Sequence, residues 1–212
     1  MQAQRYTLIY ILLMTLVVVA SNVLVQFPVN SMLAGINLAD LLTYGAFTYP
    51  VAFLITDLTN RQFGPKYARL VVIAGFVVGI GFSWFVAAPR IAIASGSAFL
   101  FGQLLDIAIF NRLRRQAWWR APLIASIIGS LLDTAMFFSL AFAPVFAILG
   151  PNDDFAIGAA PLLGVFAAEA PRWVSWAIGD LSVKVIVALV MLLPYGALMS
   201  VLKPMPDTGK AV

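Results

Sequence analysis

Polar side chains that could do chemistry are scarce in this chain, and several fall inside long apolar runs. Nine Asp and Glu and thirteen Lys and Arg occur among 212 residues, with no His and no Cys. These absences exclude disulfides, thiol nucleophiles, imidazole proton relays and the usual zinc ligands, leaving carboxylates, amides, Lys and aromatics. Asp133 stands in the apolar stretch 121–144, with Ser126, Ser130 and Thr134 spaced to share its helical face. Trp176, Asp180 and Lys184 recur every fourth residue, so acid and amine can pair across one turn. Gln103 and Asp106 lie beside Gly102, which permits close approach of another helix, and Asn22 and Gln26 are four apart. Asp57, Asn60 and Arg61 form a further group, read as a solvated helix end or an inner gate, with the structural role favoured.

These groups suit binding better than catalysis. The His-Glu-x-x-His, Gly-x-Ser-x-Gly and Gly-rich phosphate motifs are missing. Gly179-Asp180 lacks the earlier Gly of an intramembrane aspartyl protease, since position 177 is Ala, and no Tyr-Asp partner occurs. No catalytic residue, cofactor or metal is expected. With no nucleotide-binding motif, energy must come from an ion gradient, from trapping of the solute, or from a separate subunit.

The elements that position these side chains follow from composition. Hydrophobic residues make up 62% of the chain and charged residues 10%, and the mean hydropathy is +0.98, against roughly 45–50% apolar and 25% charged in soluble domains. A spanning helix takes about 20 apolar residues, and unpaired backbone groups are costly in lipid, so long apolar runs must be helices. The pattern predicts an all-α polytopic membrane protein with six spans near 6–26, 43–60, 67–88, 91–110, 121–144 and 173–202. The first run lacks a clear cleavage pattern and is read as a retained helix rather than a signal peptide. Residues 1–202 form one domain, and 203–212 a short cytoplasmic tail.

Orientation follows from the basic residues. With the N-terminus inside, Arg5, Arg61, Lys66, Arg69, Arg112, Arg114, Arg115, Arg120, Lys203 and Lys210 are cytoplasmic, and Arg90 and Arg172 are outside. The positive-inside rule thus puts both termini in the cytoplasm. Segment 145–172 is too rich in Pro and Gly for a seventh span, and lies on the membrane or caps an outer vestibule. Arg112, Arg114, Arg115, Trp118, Trp119 and Arg120 read as an interfacial anchor and not as a nucleic-acid site. Ionisable groups near a span centre cost about 2.5–3.5 kcal/mol each, so Asp133, Asp180 and Lys184 need partners, a cavity or a task. The bland alternative is that Asp180 and Lys184 neutralise each other while amides bridge helices.

Several short motifs recur together: Ser21-Asn22-x-Leu24-Val25-Gln26-x-Pro28, Gly45-Ala46-Phe47 with Pro50, Thr56-Asp57-Leu58-Thr59 with Gly64, and Arg90-Ile91-Ala92. Gly102-Gln103-x-x-Asp106, Phe110-Asn111-Arg112-Leu113-Arg114, Trp118-Trp119, Asp133-Thr134 and Asp180 with Lys184 follow. In this order the chain resembles bacterial queuosine precursor transporters, a branch of the vitamin-uptake-transporter-like six-helix inner-membrane proteins. The resemblance implies uptake of 7-cyano-7-deazaguanine, with 7-aminomethyl-7-deazaguanine as a second candidate, for tRNA queuosine modification. The alternative is a substrate-binding membrane subunit, or a carrier for another vitamin- or nucleobase-like solute. A deazaguanine presents N1–H and an amine to a carboxylate, a carbonyl to an amine or amide, and a flat ring to an aromatic. Asp133 or Asp180 is then expected on the donor edge, and Lys184, Gln103 or Asn22 on the carbonyl. Phe47, Tyr49, Phe137 or Trp176 would stack, with Gln26 and Asp106 nearby. The expected partners are this small molecule and the bilayer; self-association and a coupling subunit are left open.

Overall fold

The computed structural model describes residues 2–203, with side chains from Tyr6 onward. Lys210 and nearly all of the expected tail, and the side chain of Arg5, lie outside the described residues. Helix α1 (Gln2–Leu24) leads through two short antiparallel strands, β1 (Met32–Leu33) and β2 (Ile36–Asn37), to α2 (Gly45–Thr48) and α3 (Val51–Phe63). Three long helices follow, α4 (Pro65–Val86), α5 (Pro89–Leu113) and α6 (Arg120–Phe142). A 3₁₀ turn at Pro144–Leu149, α7 (Asp154–Ile157) and the antiparallel pair β3 (Ala159–Pro161) and β4 (Glu169–Pro171) lead into α8 (Arg172–Val201).

Among the described residues, five helices are long and apolar enough to cross a membrane: α1, α4, α5, α6 and α8. The expected second span differs from a plain helix. Pro50 removes a backbone donor and separates α2 from α3, although Tyr49 and Pro50 both keep right-handed helical angles. The two pieces form a proline-kinked unit over 45–63, about 28 Å long at 1.5 Å per residue. That length matches the hydrocarbon thickness.

Helix boundaries have local causes. Pro65 and Pro89 occupy the first turns of α4 and α5, where a missing N–H costs nothing. Between α3 and α4, Gly64 has φ +82°, which an L side chain rarely adopts, and its N–H bonds the Asn60 carbonyl at 2.9 Å. Helices α5 and α6 approach most closely at two glycines. A Cβ on Gly129 would lie 3.0 Å from the Gly102 carbonyl, and one on Gly102 would lie 3.1 Å from the Gly129 carbonyl.

Helix α3 is the centre of the bundle and packs against α1, α4, α5, α6 and α8. The core around it includes Met14, Ala52, Ile55, Val71, Phe99, Ile107 and Tyr195. The outer faces are apolar as well: Leu8, Leu12 and Leu16 on α1 and Ile186, Leu189 and Leu193 on α8 are exposed at helical spacing. Such stripes have lipid as their solvent. The fold is that of an all-α polytopic membrane protein.

The segment after α6 folds back over one end of the bundle. Arg90, buried at the start of α5, donates to the carbonyls of Leu140, Ala143, Gly150 and Pro151 and to Asn152 Oδ1, at 2.7–3.2 Å. Asp153 caps α7 by accepting from the N–H groups of Phe155 and Ala156. One arginine thus ties down a stretch too short in helix and strand to hold itself. At the other end, Trp118 and Trp119 are exposed and Arg120 lies 5.6 Å from the Trp119 ring.

Candidate functional site

A cavity of about 850 Å³ opens among α1, α2, α4, α5, α6 and α8 beneath the returning loops. Its floor holds three charged groups. Lys184 Nζ lies 2.6 Å from Asp133 Oδ2 and 2.6 Å from Asp180 Oδ2, and it donates to Thr134 Oγ1 at 3.1 Å. Thr134 in turn donates to Asp180 Oδ2 at 2.8 Å. All three ammonium hydrogens are therefore used, and the cluster carries a net charge of −1 when each group is ionised. Tyr49 closes one side, with Lys184 Nζ 5.4 Å from its ring centre.

Local structure explains each position. Asp180 and Lys184 meet across one turn of α8, as their spacing requires. Asp133 reaches Lys184 from α6 because Gly102 lets α5 and α6 close up beside it: a Cβ on Gly102 would meet that of Asp133 at 3.0 Å. The two acids differ in access. The Asp133 side chain is 4% exposed and that of Asp180 is 16% exposed, so Asp180 presents its carboxylate more openly to the cavity.

The walls are aromatic. Phe142 meets Trp176 edge-on at 5.4 Å, Phe155 lies 6.2 Å from Trp176, and Phe137 packs against Phe138 at 5.0 Å. Towards the loops, Arg172 bonds the Phe155 carbonyl at 3.0 Å and lies over the Phe155 ring at 4.4 Å. Asn22 is held from both sides: its Nδ2 donates to the Val18 carbonyl at 2.9 Å, and its Oδ1 accepts from Ser83 at 2.6 Å. Gln26 is exposed at the mouth.

Eight residues expected at a binding site line this cavity: Asn22, Gln26, Tyr49, Asp133, Phe137, Trp176, Asp180 and Lys184. Three do not. Phe47 faces outward from α2 and is exposed. Gln103 and Asp106 are fully buried in a second polar cluster with Thr56, Asp57, Asn60, Ser126 and Ser130. Asp57 and Asn60 are not a solvated helix end, because α3 is the central helix and both side chains are buried. Phe142, Phe155, Ser83 and Ser175 line the cavity without having been singled out. The α6 face already noted leads to Phe142, eight residues beyond Thr134, whereas Phe155 sits in a loop with no periodic signal.

A lipid-facing helical bundle with a charged, aromatic-walled cavity inside it defines a membrane carrier for small solutes rather than an enzyme. The chain belongs to the family described as "Putative vitamin uptake transporter", which matches residues 43–87 and 82–198. It is 35% identical to the "Queuosine precursor transporter" of Escherichia coli strain K12, over 95% of this chain and 90% of that protein. It is 37% identical to the "Probable queuosine precursor transporter" of Haemophilus influenzae, over 59% of this chain and 65% of that protein. No solved structure gives a significant match. The chain is accordingly a multi-pass inner-membrane transporter and not an enzyme.

Proposed function

We propose that the chain imports queuosine precursors, with 7-cyano-7-deazaguanine as its principal substrate and 7-aminomethyl-7-deazaguanine as a second. The observation that carries this reading is the Asp133–Lys184–Asp180 clamp on the floor of an aromatic-walled cavity. The names of the relatives support it. An excess of carboxylate over ammonium suits a solute that offers N–H donors, as the N1–H and amine edge of a deazaguanine does. Asp180, the more open acid, accepts from that edge, and Asp133 keeps Lys184 in place. The solute carbonyl takes the Lys184 hydrogen now directed at Thr134, since that 3.1 Å contact is the longest of the three. Trp176, Phe137 and Tyr49 bracket the ring.

The same reading makes residues 1–202 a single domain with six crossings, the kinked α2–α3 unit being the second. Both termini lie in the cytoplasm and the cavity opens outward, because the basic residues concentrate at the opposite end of the bundle from the returning loops. The broken helix is a recurring transporter device, in which irregular backbone lines a cavity instead of facing lipid.

Proteoliposomes holding this chain alone provide the test. Saturable uptake of labelled 7-cyano-7-deazaguanine, competed by the aminomethyl compound and not by guanine nucleosides, is the expected result. Tight binding without uptake would make the chain a substrate-binding subunit of a larger machine. Neither binding nor uptake would remove the deazaguanine assignment.

A further inference from the structure

The second polar cluster lies below the cavity floor, and Asp57, Gln103, Asp106 and Ser126 do not line the cavity. Asp57 on α3 is eight residues beyond Tyr49, and Ser126 on α6 is seven before Asp133, which puts the cluster about 10–12 Å from the floor along the helix axes. Asp57 and Asp106 are both buried, with their carboxyls within hydrogen-bonding reach of each other and of Ser126. The Ser126 contact to Asp57 Oδ2 is 3.5 Å, while Asp57 Oδ1 and both Asp106 oxygens have no donor. Among the described residues, the ion pairs involve Lys184 alone, so neither acid meets a cation. Three further buried groups in the cluster lack partners: Asn60 Oδ1, Gln103 Nε2 and Ser130 Oγ.

Two carboxylates in contact inside a bilayer cannot both stay ionised without a counter-cation, and the contact becomes a hydrogen bond only when a proton lies between them. We propose that Asp57 and Asp106 hold one proton between them, and that this dyad is the site at which a coupling proton binds during transport. The coupling half rests on the transport reading given above. The step is a protonation alone: a proton moving down the inward gradient joins a carboxylate oxygen from the cavity side, the acid formed donates to its neighbour, and the proton is released to the cytoplasm. The adjoining void, lined by Asp57, Ser126, Ser130 and Tyr195, measures about 10 Å³, enough for one water and too small for a hydrated metal ion.

The surroundings fit a gated proton site. From α3 the nearby charged group is Arg61, one turn nearer the helix end; from α8 the nearby titratable group is the neutral Tyr195 hydroxyl, within hydrogen-bonding reach of Arg61; Arg114 lies just past α5. From α6 the dyad faces the Ser126 and Ser130 hydroxyls, and from α5 Gln103, whose Oε1 accepts from Thr56 at 2.6 Å. The link to the cavity runs through glycines. A Cβ on Gly129 would meet Asp106 Cβ at 3.3 Å and Phe53 Cε1 at 2.8 Å, while Gly102 touches Asp133. A shift of α3 on protonation would therefore press on the α5–α6 contact that positions Asp133.

Infrared spectroscopy of the purified protein separates the two halves of the proposal. At neutral pH the parent should show a protonated-carboxyl C=O band that shifts on deuterium exchange and disappears in Asp57→Asn/Asp106→Asn. Proteoliposomes of the parent should take up 7-cyano-7-deazaguanine faster under an inward proton gradient. The double variant should keep the parent's affinity by tryptophan fluorescence and lose that acceleration. Absence of the band, or its survival in the double variant, overturns the dyad whatever the substrate proves to be. Acceleration by sodium instead of protons overturns proton coupling and leaves a metal cation as the ligand. Should the parent bind no deazaguanine, the functional assignment falls, while the infrared band still decides the dyad. Should the double variant fail to fold, the deuterium shift in the parent and the single Asn variants carry the test.

Discussion

Among the described residues, Lys184 is the one cation paired with carboxylates on the cavity floor, the buried Asp133 and the more open Asp180, so removing charges one at a time there should separate stability from binding. Lys184→Met leaves Asp133 and Asp180 without their shared partner and takes the floor from −1 to −2. Losing one partner of a buried ion pair costs about 3–5 kcal/mol, most of it the desolvation of the stranded charge. Adding Asp133→Asn and Asp180→Asn to Lys184→Met removes that charge, and most of the loss should be recovered.

Asp180→Asn alone behaves differently. The Asp133–Lys184 pair stays intact at 2.6 Å, the floor becomes neutral, and unfolding should change little. Binding should suffer, because a charged hydrogen-bond acceptor for the solute is gone: about 1.5–3 kcal/mol, or roughly 10- to 150-fold in Kd. Denaturant titration in detergent micelles reads the first effect, and quenching of Trp176 fluorescence by 7-cyano-7-deazaguanine reads the second. If Lys184→Met unfolds at the parent's midpoint, or Asp180→Asn binds as the parent does, the floor is not a clamp that Lys184 holds together and Asp180 offers to the solute.

The other structural claims make further predictions. Gly129→Ala should cost about 1–3 kcal/mol because its new methyl meets the Gly102 carbonyl and the Phe53 ring, whereas Gly81→Ala, with open space around it, should be neutral within about 1 kcal/mol in the same titration. Arg90→Met strips donors from four carbonyls at the end of the bundle and should cost at least about 1–3 kcal/mol, with limited proteolysis nicking residues 144–153 sooner than in the parent. Trp176→Ala removes the ring that meets Phe142 and Phe155, and calorimetry should show affinity falling about 2- to 10-fold.

What could be read in the sequence was local, and what escaped was not. Asp180 and Lys184 pair across one turn, so their spacing sufficed, and uninterrupted apolar length located α1, α4, α5, α6 and α8 within a few residues of their ends. The partner of Asp133 is 51 residues away and depends on how closely α6 and α8 pack, which no periodicity encodes. Asp106 shows the limit of a helical face. It shares a face with Gly102, yet four residues put it about 6 Å further along the axis, enough to move it from the cavity to the cluster below. Asp57 reads from the sequence as part of a solvated helix end or an inner gate because it falls near the end of the second apolar run, but the side chain is buried because five helices surround α3. Pro50 was visible in the sequence, while its consequence depended on the residues either side keeping helical angles.

The position of that proline bears on how one bundle accommodates two acidic sites. On one side of the kink, Gly45, Ala46 and Tyr49 line the cavity; on the other, Thr56, Asp57 and Asn60 enter the buried cluster. A continuous helix would tie the two halves by an unbroken hydrogen-bond ladder, whereas the missing N–H at Pro50 lets them tilt separately. The α5–α6 pair is the opposite case: its glycines bring backbone against backbone, so Asp106, Gly129, Gly102 and Asp133 form a stiff column beside the hinge. The two acids of the lower site thus sit on elements of different construction, Asp106 on the close-set α5–α6 pair and Asp57 on the helix that Pro50 interrupts. On the proposed coupling, charge at the lower site and occupancy at the upper one would act on the same element, which is what reciprocal linkage between solute and proton requires.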